Sequence, residues 1–344
     1  AGEYDIVVTT YGLLINEEET LASRVWHTIV LDEAHTIKNR DTKMSKAAMS
    51  LKSEFRILLT GTPLQNHVSE IWNLMQFANP GVLGSFQEYT DRFLLPIERD
   101  HDKEKQKLLK LIVSPFMLRR TKNDVLDELP EKTEITLKVD LSEEEWAFYD
   151  NIRQKALANM EDGQVSAVQA LAEITRLRQA ACNSRLVEKN IKLKSSKLER
   201  FMELVDDLHE GGHRALVFSQ FTSHLALVRE RLDAEGIKYL YLDGATSAKD
   251  RMRLVEEFQH GDMEIFLISL KAGGLGLNLT AADYVVHLDP WWNPAIEEQA
   301  SDRAYRIGQK KAVTVYRLIA TGTIEERIIE LHRTKKNMAD ALLE

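Results

Sequence analysis

The run Gln299-Ala300-Ser301-Asp302-Arg303-Ala304-Tyr305-Arg306-Ile307-Gly308-Gln309 places two arginines three residues apart. Guanidinium is planar, permanently charged and able to bind oxygens in pairs, so such a pair suits a polyanion such as a nucleoside triphosphate. Trp292-Asn293-Pro294 just upstream supplies an Asn cap and a proline for the first helical position, which predicts a helix from about Ala295 onward. On that helix Gln299, Arg303 and Arg306 would lie along one face. A solvated basic stripe is the plain alternative, and for an isolated pair it is the better one. Two acids far upstream change the balance.

Trp26-His27-Thr28-Ile29-Val30-Leu31 is a short apolar, β-branched run that ends abruptly in Asp32-Glu33-Ala34-His35. A buried strand delivering two carboxylates at its C-terminal end is where open α/β sheets hold ligands. Asp32 would hold Mg²⁺, through water, and Glu33 would polarise an attacking water. An acidic helix cap is the alternative. A second strand, Arg56-Ile57-Leu58-Leu59, runs into Thr60-Gly61-Thr62-Pro63, with a helix predicted over Lys43 to Leu51 between them. That is a crossover unit of a parallel sheet, and its turn brings hydroxyls and bare backbone beside the carboxylates.

With these segments in place the chain resembles the SWI/SNF-type DNA-dependent ATPases of helicase superfamily two, over almost its whole length. Asp32 to His35 is similar to that family's Mg²⁺ and hydrolysis motif, and Leu58 to Asn66 to its coupling motif. Leu118 to Lys122 with Leu129-Pro130 resembles the linker signature. Leu216 to Phe221, Tyr241 to Thr246, Ser269 to Asn278, Asp289 to Pro294 and Gln299 to Gln309 follow in the family's order.

The resemblance implies two RecA-like lobes acting on ATP with Mg²⁺ and translocating on double-stranded DNA to displace or remodel a DNA-bound protein. It makes Asp32, Glu33, Arg303 and Arg306 the catalytic set, with ATP between the lobes and an arginine finger from the second. His35, Gly274, Gly276 and Gln299 become nucleotide contacts, and Thr60, Gly61 and Thr62 the coupling turn. Thr9, Thr10, Tyr11, Ser219, Gln220, Gly244, Thr246, Lys271 and Asn278 become DNA contacts. Hydroxyl and N–H donors at these places would hold phosphodiester oxygens and carry no base information. Trp291-Trp292 offers a stacking platform for bases, or, as the better reading, packing against the neighbouring lobe.

One expected part is absent. No Gly-Lys dipeptide occurs in the chain, so there is no phosphate loop to cradle the β and γ oxygens. Gly273-Gly274-Leu275-Gly276 is followed by Leu277-Asn278 and cannot replace it. The expectation is a C-terminal portion of a longer motor, missing an N-terminal part of the same protein and hydrolytically deficient alone. Tyr4 to Thr10 would then be a middle strand of the first lobe.

At 344 residues and 44% hydrophobic content the chain suits about two domains. No apolar run approaches the roughly 20 residues of a membrane span, and no signal peptide is visible. Cys182 is the single cysteine, which excludes internal disulfides and thiolate zinc clusters and suggests a small buried residue on a helix. The expected compartment is intracellular, and the short insertions between motifs point to bacterial cytoplasm or nucleoid rather than a nucleus. A net charge of -9 argues at first against nucleic acid, but association depends on where positive charge lies.

The predicted fold class is α/β, with parallel sheets flanked by helices, an incomplete first lobe, helical insertions and a C-terminal brace helix. Residues 1–120 form the rest of the first lobe, with a helical protrusion over Glu70 to Ala78 and Phe86 to Val113. Residues 121–194 form a linker with a strand at Thr133 to Asp140 and a helical insertion opened by the Ser142/Glu145 capping box. Residues 195–320 form the second lobe, where strands and helices alternate, and residues 321–344 the brace. Two other readings stay open: the motor subunit of a restriction or repair complex, and a fragment that binds DNA or a partner without turnover.

Overall fold

Val25-Trp26-His27-Thr28-Ile29-Val30-Leu31 is rich in β-branched and aromatic residues, which pack well on a pleated surface, and it forms strand β1 (Val25–Leu31). Strand β2 (Lys52–Leu58) pairs with it in parallel, from Val25↔Lys52 to Leu31↔Leu58. The crossover between them carries helix α3 (Lys43–Ser50), whose N-cap Thr42 accepts a hydrogen bond from the Ser45 N–H. Helices α1 (Tyr11–Asn16) and α2 (Glu18–Ala22) precede β1. Ile29, Leu31, Ala34, Ile37, Ala47 and Ala48 bury together with Leu14 on one side.

The computed structural model describes residues 5–61, 68–120, 129–161, 166–273 and 277–343. It divides into two compact units, residues 1–120 with 335–344, and residues 121–334. Among the described residues no helix is long and apolar enough to cross a membrane.

In the first unit one expectation fails. Ile6 to Thr10 is not a strand, and Ile6 and Val8 are 79% and 90% exposed. Among the described residues the sheet of this unit has β1 and β2 alone, and the apolar alternation of this segment pairs with neither. Beyond helix α4 (Ser69–Ala78) the protrusion is also more broken than its sequence suggests. It comprises α5 (Phe86–Tyr89), a π turn over Thr90–Leu94, α6 (Leu95–Glu98) and α7 (Lys103–Val113). Asp102 ends the break by capping α7, accepting from the Glu104 and Lys105 N–H groups. The protrusion has its own core of Val68, Ile71, Tyr89, Phe93, Ile97, Leu109 and Val113.

The second unit is built on a six-stranded sheet, all parallel, in the order β3-β8-β7-β4-β6-β5. The strands are β3 (Lys132–Val139), β4 (Ala215–Ser219), β5 (Tyr239–Leu242), β6 (Ile265–Ser269), β7 (Tyr284–His287) and β8 (Val313–Ala320). Every residue of β4 and β6 is buried, as expected of a parallel sheet covered on both faces. Leu216, Phe218, Phe266, Ile268 and Val285 point to one side, where Phe258 and Ala300 cover them. Ala215, Val217, Ile265, Leu267 and Val286 point to the other, against Phe201, Val205, Leu225 and Val228.

The covering helices are α10 (Ser196–Glu210), α11 (Thr222–Ala234), α12 (Ala248–His260) and α14 (Pro294–Ser301), with a short α13 (Leu270–Gly273) after β6. A hairpin of α8 (Glu143–Glu161) and α9 (Ala167–Cys182) and the first part, to residue 334, of a final helix α15 (Ile324–Leu343) complete the unit's sequence of elements. The sheet draws on residues outside the stretch 195–320. Its edge strand β3 comes from the stretch read as linker and pairs with β8 from Lys132↔Val313 to Val139↔Ala320.

Candidate nucleotide and DNA site

In the first unit β1 ends at Leu31, and Asp32 follows as an exposed residue at the C-terminal edge of the sheet. Its Oδ1 accepts the Glu33 N–H at 2.9 Å, and its second carboxylate oxygen faces no donor among the described residues. An exposed carboxylate with an uncommitted oxygen suits a hydrated Mg²⁺. Glu33 is half-buried and adopts φ 49°, ψ 47°, the left-handed region that disfavours side chains with a Cβ. Its carbonyl accepts both the N–H and the hydroxyl of Thr36, at 2.9 and 2.8 Å. His35 Nδ1 lies 3.2 Å from a Glu33 carboxylate oxygen, without hydrogen-bond alignment.

The ladder continues past both strands. Leu59 N–H donates to Leu31 O at 2.8 Å, and Ala34 N–H to Leu59 O at 3.0 Å. The acidic turn is therefore tied to the residue just before Thr60 and Gly61, while Thr62 lies outside the described residues. Thr9 and Thr10 are exposed, and the Thr10 hydroxyl accepts the Leu13 N–H at 3.2 Å as the cap of α1. The Tyr11 hydroxyl donates to Asp32 O at 2.8 Å. Burial, with the Asp32 and Glu33 charges added, pushes that phenol up to about 12.

In the second unit the arginine segment departs from expectation. Helix α14 stops at Ser301, so Arg303 and Arg306 do not extend the face that carries Gln299. The cause is tertiary: the Arg303 carbonyl accepts the Leu279 N–H at 3.0 Å, and Ala304 and Tyr305 N–H groups fold back to Ser301 O at 3.1 and 3.2 Å. Ala304 and Tyr305 bury in the core instead. Arg303 is 6% exposed. Arg306 is exposed and reaches back to Leu277 O at 3.4 Å. The two guanidiniums thus occupy different environments.

Residues 274–276 lie outside the described residues, so Gly274 and Gly276 are not placed. Lys271 and Asn278, on either side, are exposed. Gly244 is exposed in the turn after β5, where Thr246 Oγ1 accepts the Asp243 N–H at 3.1 Å. Ser219 is buried, and its hydroxyl with the Gln220 N–H donates to the Asp289 carboxylate at 2.9 to 3.1 Å. In this arrangement those two donors serve Asp289 rather than a phosphodiester oxygen.

Asp289 opens a loop that is held from several directions. Burial pushes its carboxyl up to about 6, opposed by the Lys197 charge and by the Gln220 and Ser219 hydrogen bonds. Pro290 O accepts from Arg178 of α9, Trp291 N–H donates to Glu297 of α14, and Trp291 O accepts from His332 of α15. Asn293 caps α14, accepting the Ala295 N–H at 3.1 Å. The Arg178 guanidinium sits over Phe221, Trp291 and Trp292, 5.1 to 5.7 Å from the ring centroids, so both tryptophans engage this cation.

Arg178, Glu297 and His332 carry no local signature, since each acts on a loop brought near by the fold. Behind the loop Lys197 and Glu325, each 1% exposed, pair at 2.7 Å, and Lys197 also donates to Leu288 O at 2.9 Å. Cys182 is buried on α9, as its sequence context suggests. Donor atoms of Cys182, His224 and Asp289 come within 4.8 Å of one another. Lys197 and Arg178 already balance Asp289 and Glu325 there, so the cluster needs no dication to be neutral.

Comparison with known proteins matches residues 1–186 to the SNF2-related domain and residues 196–308 to the helicase conserved C-terminal domain. A Bacillus subtilis protein provisionally named as an ATP-dependent helicase/translocase is 39% identical over 350 residues, covering 99% of this chain and 38% of the relative. The ISWI chromatin-remodeling complex ATPase of Saccharomyces cerevisiae is 35% identical over 358 residues, covering 99% of this chain and 32% of the relative. The chain thus spans about a third of the length of these relatives. Among solved structures, the Sulfolobus solfataricus SWI2/SNF2 ATPase core in complex with dsDNA aligns with a TM-score of 0.55 and 36% identity, over 99% of this chain and 73% of that one.

Proposed function

Because this chain belongs to the SNF2-related family of helicase-like ATPases, we propose that it is part of a DNA-dependent ATP hydrolase that translocates on double-stranded DNA and displaces or remodels a bound protein. The observation that carries this reading is the pair Asp32-Glu33 at the C-terminal edge of a parallel strand, bonded through Ala34 to the turn that follows the next strand. Asp32 would hold Mg²⁺, which supplies charge neutralisation for the triphosphate. Glu33 orients the attacking water and accepts its proton. Arg306 is the arginine finger, exposed and able to leave Leu277 O. Gly274, Gly276, Gln299 and His35 contact nucleotide, and Thr60, Gly61 and Thr62 relay its state.

Thr9, Thr10, Tyr11, Gly244, Thr246, Lys271 and Asn278 form the proposed backbone-reading DNA surface, with Ser219 and Gln220 supporting it through Asp289. The relative of known structure bound to dsDNA supports duplex DNA as the track, and the named translocase and remodelling relatives support movement along it. The residues 1–120, 121–194, 195–320 and 321–344 are proposed as first lobe, linker with insertion, second lobe and brace, with β3 added to the second lobe's sheet. Lacking a Gly-Lys phosphate loop, these 344 residues alone are proposed to turn over little ATP.

The test is ATP hydrolysis with and without duplex DNA, on this chain and on one extended to include a phosphate loop. The extended chain should show DNA-stimulated hydrolysis and the shorter one almost none. An extended chain indifferent to DNA would refute the motor. Family-like turnover by the 344 residues would refute the deficiency.

A further inference from the structure

Glu33 and His101 are the non-glycine residues with positive φ among the described residues, and only Glu33 carries proposed chemistry. A side-chain-bearing residue stays in the left-handed region only where its surroundings over-determine it. Here the bonds on either side do so. The peptide before Glu33 is held at its carbonyl by the Tyr11 hydroxyl at 2.8 Å. The peptide after it is held at its N–H by Leu59 O at 3.0 Å. The Asp32 carboxylate closes the turn on the Glu33 N–H at 2.9 Å.

Two of these three partners come from outside the acidic turn, and both adjoin segments with other proposed tasks. Leu59 precedes the coupling turn. Tyr11 opens α1 directly after Thr9 and Thr10, its ring packed against the Leu14, Ile29 and Leu31 core. The ring anchors the phenol while its oxygen reaches the turn. A phenol has one hydrogen to donate, and here it is spent on Asp32 rather than on a phosphate oxygen.

We propose that Tyr11 is a positioning residue for hydrolysis: its hydroxyl fixes the strained Asp32–Glu33 peptide, so that the Glu33 carboxylate answers to movement of the Thr9-Thr10-Tyr11 segment. The inference rests on the ATPase reading for its consequence, and on the turn's geometry for its cause. When the segment shifts, the Asp32 carbonyl is released and Glu33 loses one side of its clamp. The carboxylate then relaxes away from the water it must orient. DNA engagement and hydrolysis would be linked within the first unit alone, through a single hydrogen bond.

The test is Tyr11→Phe, which keeps the ring and removes the oxygen. In a chain extended to carry the phosphate loop, kcat at saturating DNA should fall about ten- to a hundred-fold, the scale set by a catalytic group displaced by about 1 Å. KM for ATP and Kd for duplex DNA should hold within about two-fold, since the one phenol hydrogen is spent on Asp32 O and Tyr11's proposed place on the DNA surface would be filled by its backbone and ring, which Tyr11→Phe keeps. An unchanged kcat would overturn the proposal. So would weaker DNA binding with full kcat at saturation, because that makes the hydroxyl a DNA contact.

Hydrogen–deuterium exchange on the present chain judges the clamp without turnover. The variant should exchange faster than the parent at residues 33–36, with α3 unchanged, and equal exchange at both would overturn the clamp. A parent motor with no DNA-stimulated hydrolysis would count against the ATPase reading, leaving the exchange result to decide on Tyr11.

Discussion

Replacing Lys197 by Met removes the cation from the buried pair behind the Asp289 loop. Lys197 and Glu325 are each 1% exposed and 2.7 Å apart, and Glu325 also accepts the Ala320 N–H at 2.8 Å. Methionine fills most of the volume, so the loss is electrostatic. It leaves a buried carboxylate without its counter-ion, which costs about 3–5 kcal/mol, and it orphans Leu288 O. Against a domain stability of about 5–15 kcal/mol that is a large fraction. Glu325→Gln in the same chain removes the uncompensated charge while keeping an oxygen for Ala320. The double variant should therefore be more stable than Lys197→Met alone, by about 2 kcal/mol.

Asp289 adds a pH signature to the same change. Its folded pKa is raised to about 6 from the ordinary 3.8, so its contribution favours the folded state at low pH and is lost as pH rises through about 6. Lys197 is the charge that opposes this rise, and without it the deficit of Lys197→Met should widen between pH 5 and pH 8. Urea unfolding read by hydrogen exchange of the β4 and β6 amides measures both effects in the second unit. A cost below about 1 kcal/mol, or additive effects of the two substitutions, would refute the argument.

Arg306→Ala in a chain extended with the phosphate loop should leave DNA affinity nearly intact and lower DNA-stimulated hydrolysis by about 10³-fold or more; steady-state kinetics showing a near-normal rate would exclude the finger. His224 is buried, and burial with the Lys197 charge holds its imidazole down to about 3. A lowered folded pKa means stability present above the unfolded value near 6.5 and lost as pH falls below it. His224→Asn should accordingly gain on the parent by about 2 kcal/mol on going from pH 7.5 to pH 5, and a pH-independent difference in urea midpoints would contradict a neutral buried imidazole.

Much of this fold is legible in local sequence. β1, β2 and β4 to β7 fall where short β-branched or apolar runs meet acids, glycines or polar turns. The Ser142/Glu145 capping box forms as its spacing predicts, with Ser142 N–H donating to Glu145 at 3.0 Å. What escapes is long-range. Residues 132–139 read as a linker strand because their partner, β8, is distant in sequence. β8 opens on the β-branched and aromatic run Val313-Thr314-Val315-Tyr316. Ile6 to Thr10 shows that alternation without a neighbour makes no strand. Asp32 and Glu33 can be proposed from sequence because their motif is contiguous. Arg178, Glu297 and His332 were missed because each reaches the Asp289 loop from another part of the chain.

The arginine segment shows how such long-range contacts alter the chemistry. A continuous helix would have given Arg303 and Arg306 equivalent roles. The turn replacing it buries one arginine and exposes the other, so the charge open to solvent is Arg306. Gln309 holds that turn. Its amide nitrogen faces the carbonyls of Thr280, Ala282 and Ala304 at 3.1, 2.7 and 3.0 Å, and its oxygen accepts the Lys310 and Lys311 N–H groups at 2.8 and 2.9 Å. Gln309→Glu keeps size and turns a donor into a carboxylate oxygen among three carbonyls, a buried mismatch costing about 1–3 kcal/mol. If the turn presents Arg306, this variant should lose DNA-stimulated hydrolysis at a temperature where β4 and β6 remain protected from exchange. Full activity with the sheet intact would mean that Arg306 finds its place without Gln309.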